Sequence, residues 1–175
     1  MIDIPGLPVP DAGPLFGAAL LVHVAAGITS VVAGLVAMLS RKGGTWHVRA
    51  GRTFLGGLVA LFVTMAVMAV IRWPATVHLA LLGAVAVTAG VAGWRNRRRH
   101  GSDTAHLVLM AVAYVAMLTA FYVDNGPHLP LWERLPDWSF WFLPTLVGFP
   151  LVVAAVRRRR PTRDAGPGRR ASGPP

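Results

Sequence analysis

From Pro14 to Ser40 the chain carries no Asp, Glu, Lys or Arg and is apolar or small at almost every position, until Arg41 and Lys42 end the run. At 1.5 Å per residue this exceeds the ~20 residues a helix needs to cross a bilayer core. A second uncharged run, Thr53 to Ile71, closes on Arg72, Trp73 and Pro74, and a third, Ala75 to Trp94, stops at Arg95, Arg97, Arg98 and Arg99. Ser102 and Asp103 have the character of a helix N-cap for a fourth run that continues to about Val123. The fifth, Trp138 to Val156, contains Pro144 and Pro150, so the pattern predicts a kinked helix. No run shows the alternation of a barrel strand. The fold class that follows is all-α: a polytopic membrane helix bundle with five transmembrane helices.

The segments between the runs predict the orientation. The loop from Arg41 to Arg52, the loop from Arg95 to Asp103 and the chain from Arg157 onward hold 15 of the 17 positive charges. The alternate segments hold Arg72 and Arg134 together with Asp3, Asp11, Asp124, Glu133 and Asp137. Arginine-rich loops stay on the cytoplasmic side. Residues 1–13 are then an extracytoplasmic segment, 14–157 the five-helix transmembrane domain, and 158–175 a disordered, basic cytoplasmic tail. The N-terminus is outside and the C-terminus in the cytoplasm. The first dozen residues are proline-rich and lack the positive n-region of a signal peptide.

Composition agrees with a bilayer setting. Of the 175 residues, 54% are hydrophobic and 14% charged, yet the formal net charge is +10; a soluble domain carries roughly a quarter charged residues. The basic runs abut hydrophobic spans and are not interleaved with stacking aromatics, so they read as topology anchors and lipid-headgroup contacts, not as nucleic-acid contacts. The expected partner is the lipid bilayer, with a membrane-protein partner or a homo-oligomer as a further expectation. Cys is absent, which excludes thiolate nucleophiles, Cys-ligated zinc, iron–sulfur clusters and covalent c-type haem. No P-loop, HExxH, GxSxG or paired intramembrane carboxylate is found, which argues against an ATPase, a zinc protease and a serine hydrolase.

Histidine is the one abundant chemical residue at or within the spans. His23 and His78 fall toward the outer face, and His47 and His106 toward the cytoplasmic face. Two histidine pairs at opposite faces is the layout of a di-haem b-type cytochrome, with each iron taking one imidazole from each of two helices. The rival reading of each is an interfacial or helix-packing histidine. His78 starts its span and lies about 100° from the centre of the strip Gly83, Ala86, Gly90 and Gly93, which counts against burial as a ligand. His23 shares a strip with Gly27, Ser30 and Gly34 and so faces protein. His106, Met110, Ala113, Met117 and Asp124 share one face of the fourth span, where the methionines read as packing residues. The outer segment with Asp124, His128, Glu133 and Asp137 reads as an aromatic-belted connector, with cation binding as its alternative.

The stretch HVAAGITSVVAGLVAMLSRKGGTWHVRAGRTF combines a histidine, spaced glycines, a basic loop, a second histidine and a Gly-Arg pair. With AHLVLMAVAYVAMLTAFYVDNGPHLPLW and FWFLPTLVGFPLV it is similar to the bacterial predicted membrane proteins of the domain-of-unknown-function 2306 family, over roughly residues 15 to 158. That resemblance implies a polytopic protein of the bacterial plasma membrane and no particular activity. The leading functional expectation, from the histidines spread over both membrane faces, is b-type haem binding and electron transfer through His23, His78, His47 and His106. The alternatives are a small-solute or proton transporter using His23, and a cofactor-free partner or assembly subunit.

Overall fold

The computed structural model describes residues 13–130, 132 and 134–158. The expected outer N-terminal segment, the basic tail beyond residue 158 and Glu133 of the connector lie outside the described residues. Those residues form helices α1 (Gly13–Leu39), α2 (Thr45–Ile71), α3 (Val77–Arg98), α4 (Asp103–Asn125) and α5 (Leu143–Arg157), and no strand is found among them. Short 3-10 turns at Gly126–His128 and Asp137–Trp141 join α4 to α5. Five helical segments are long and apolar enough to cross a membrane, the last counted from Asp137 to Arg157 with its leading turn.

Two helical hairpins make the bundle: α1 packs along α2, α3 packs along α4, and α2 joins the hairpins through α3. The antiparallel run puts the α1–α2 and α3–α4 turns and the end of α5 together at one basic end. One core cluster centres on Phe54, Leu58, Ala86, Ala89, Ala113 and Met117, and a second on Phe16, Met65, Met68 and Leu79 nearer the opposite end. Between the hairpins the helices approach through small residues. A Cβ on Gly90 would touch Leu58 and Leu55 of α2, and within the α3–α4 hairpin one on Gly93 would touch Met110. Without a hydrophobic driving force between helices in lipid, such close approach is the main source of packing energy.

Three boundaries differ from expectation. The largest difference is in α2, which begins at Thr45, eight residues ahead of its uncharged run. An uncharged run marks only the part of a helix that must lie in hydrocarbon. The leading turns carry His47, Arg49 and Arg52 beyond it, so most of the expected loop is helix. Gly43, at φ +80°, makes the preceding turn in a conformation a side chain disfavours. Likewise α3 continues through Arg95 and Arg97 to Arg98. The fifth span is a 3-10 turn followed by α5, with Pro144 in the first helical turn, where its missing N–H leaves no bond unmade. Pro150 does lie inside α5.

The α3–α4 turn is held by polar contacts. Ser102 caps α4 by accepting from the Ala105 amide at 3.4 Å, Asn96 Nδ2 donates to the Ser102 carbonyl at 2.8 Å, and Arg97 pairs with Asp103. The N-cap read from Ser102 is therefore present.

Candidate functional site

The helix extension of α2 is what brings two sequence-distant histidines together. His47 sits in its first turn on the face that also presents Ala50, Phe54 and Leu58 to the core. His106 sits in the first turn of α4, on the face of Ala113 and Met117. Both chain directions place these turns at the basic end. The ring centroids of His47 and His106 lie 6.5 Å apart with the planes at 77°.

Each ring is anchored through the same atom. His47 Nδ1 lies 2.8 Å from the Ala37 carbonyl oxygen of α1, and His106 Nδ1 lies 2.9 Å from the Gly93 carbonyl oxygen of α3. A carbonyl only accepts, so each Nδ1 is the protonated nitrogen and donates. In the neutral imidazole the lone pair is then on Nε2. An Nδ1–H bonded to a backbone carbonyl fixes the tautomer and ring orientation, as it does for metal-ligating histidines. Gly93 has a second part in this: its missing side chain admits Met110, one turn beyond His106.

The other two sequence candidates take separate partners. His23 Nδ1 lies 2.9 Å from Thr64 Oγ1 on α2. Thr64 Oγ1 is also 2.8 Å from the Ala60 carbonyl, which takes the hydroxyl proton, so His23 Nδ1–H donates to Thr64. The side chain faces protein, in line with its strip: Gly27 lies against Leu61, and buried Ser30 against Gly57. His78 packs on Trp141 with ring centroids 6.0 Å apart, at the start of α3. His100 and His128 are exposed. Among the described residues no three His, Asp or Glu side chains gather to hold a metal ion.

Sequence reasoning missed Thr64 as the partner of His23. Thr64 is a hydroxyl within an apolar run, a visible signal, but its pairing with α1 depends on helix rotation. The chain matches no family model, no curated protein and no solved structure.

Proposed function

We propose that this chain is a multi-pass protein of the bacterial plasma membrane that binds one b-type haem between His47 and His106 and passes electrons at its basic face. That face is cytoplasmic in this reading, with the N-terminus outside, because three arginine-rich segments resist translocation together. The bacterial setting rests on the resemblance to the domain-of-unknown-function 2306 proteins.

The observation that carries the haem reading is the pair of backbone-anchored imidazoles 6.5 Å apart. Rings this close can both reach one ion, so His47 and His106 would be the residues that hold it. The donor set also fits: neutral imidazole nitrogens with their second nitrogens tied down, and no thiolate in the chain. A bound haem supplies a one-electron couple, whose potential the protein sets through these ligands and their surroundings. His47 and His106 supply the ligand atoms, and Ala37 and Gly93 hold the rings in place. His23 and His78, engaged separately, have no part in this single site.

An optical spectrum tests the proposal. Protein expressed with ample haem and purified in detergent is expected to show a Soret band. His47→Ala and His106→Ala should each abolish it, while His78→Ala retains it. No Soret band in the wild-type protein, or a band indifferent to both substitutions, would sink the assignment.

A further inference from the structure

The helix least embedded in the bundle leaves a groove beside it. α5 leans mainly on α4, with Gly148 against Val115 as the close contact. Between α4, α5 and the edge of α3 remains an elongated hollow of about 780 Å³. Its walls include Leu82, Ala111 and Val152; Thr119 and Thr145 mark one end and Arg157 the other. From Thr145 to Arg157 along α5 is ~18 Å at 1.5 Å per residue. One leaflet of hydrocarbon is roughly 15 Å deep, half of a bilayer core.

We propose that this groove holds an acyl chain of an anionic glycerophospholipid whose phosphate sits at Arg157. The apolar walls run the depth an acyl chain runs, and the single charged residue of the lining lies at the end where the headgroup must be. A shallower hollow of about 560 Å³ lies along one face of α3 alone, with Val91 in its wall and Arg95 and Arg99 beside it. Cations beside an anionic leaflet are favoured, and most so near the surface. A second copy of the chain fits the groove less well. Copies inserted in the same orientation carry Arg157 and Arg158 at the same depth, so packing this face on itself gathers like charge. An anionic lipid neutralises that charge. The proposal stands on the groove alone and is independent of haem binding.

Native mass spectrometry of the full-length protein in detergent tests it, with phosphatidylglycerol and phosphatidylcholine of identical acyl chains added in equal amount. Wild type is expected to retain phosphatidylglycerol about fivefold over phosphatidylcholine, the gain of one arginine at an anionic headgroup. Arg157→Gln should bring the ratio close to one, whereas Arg158→Gln, outside the groove lining, should leave it unchanged. Ala111→Phe fills the groove and should reduce retention of both lipids. Arg157 is exposed, so its substitution tests the idea even where Ala111→Phe disturbs folding. Equal retention of the two lipids, or equal loss from Arg157→Gln and Arg158→Gln, would overturn the proposal. So would a dimer in place of lipid adducts that Ala111→Phe dissociates, since the occupant would then be a second copy.

Discussion

Gly34→Ala is a one-methyl change whose cost can be worked from the structure. Gly34 is buried in α1 against the Tyr114 ring of α4. An added Cβ would lie 2.6 Å from Tyr114 Cδ2 and nearer still to Cε2, against ordinary carbon contacts of about 3.5–4.0 Å. The ring has little room to yield, because it packs at 5.8 Å on Phe54, itself only 2% exposed. Overpacking of this kind costs about 1–3 kcal/mol. Displacing Tyr114 also loses its hydroxyl donation to the Val31 carbonyl, 3.3 Å in length, worth about 0.6 kcal/mol in a membrane protein. Alanine's better helix propensity offsets about 1 kcal/mol at most. The clash wins, and a net loss of about 2 kcal/mol is expected. Reversible unfolding in mixed micelles, followed by tryptophan fluorescence, measures it. In a Tyr114→Leu background the same substitution should cost at least ~1 kcal/mol less, because the two sites share the contact. A neutral Gly34→Ala, or a cost unchanged when Tyr114 is Leu, would refute the reasoning. Ala37, whose carbonyl anchors His47, is one turn further along α1, so under the haem proposal any Soret band should weaken together with stability in this variant.

Reporter fusions after Arg99 and after Arg160 are expected to read as cytoplasmic and one after His128 as external; His128 and Arg99 reading alike would mean that α4 does not cross. Gly126→Ala should destabilise by about 1–3 kcal/mol in the same unfolding assay, since its methyl would meet Phe140 Cε1 at 2.6 Å and Phe140 is 1% exposed. A melting curve that does not move would show that the connector yields freely. Asp103→Asn removes the exposed Arg97 pair and should cost less than ~1 kcal/mol, so a larger loss would mean that the α3–α4 turn depends on that charge. Proteoliposomes of wild type and His23→Ala should show equal proton flux; flux lost with His23 would move the function to transport.

The five helices were legible in the sequence because membrane insertion is a sum over neighbouring residues. A run such as Pro14–Ser40 has no other way to satisfy its backbone than as a helix. The Ser102 cap and the inward strips of α1 and α3 were legible for a related reason, since helical periodicity is local. The start of α2 was not, because its first turns are polar and are helical for reasons that hydropathy does not count. The His47–His106 pair belongs to the tertiary structure as well. Hydropathy placed both residues at one membrane face, but only the rotation of α2 and α4, set by Phe54 and Gly90 packing between the hairpins and Gly93 packing within the second, turns the two rings toward one site. The same packing separates His23 from His78, giving one to Thr64 and the other to Trp141. Depth in the membrane is a property of each helix alone, whereas the direction a side chain faces is decided by its neighbours.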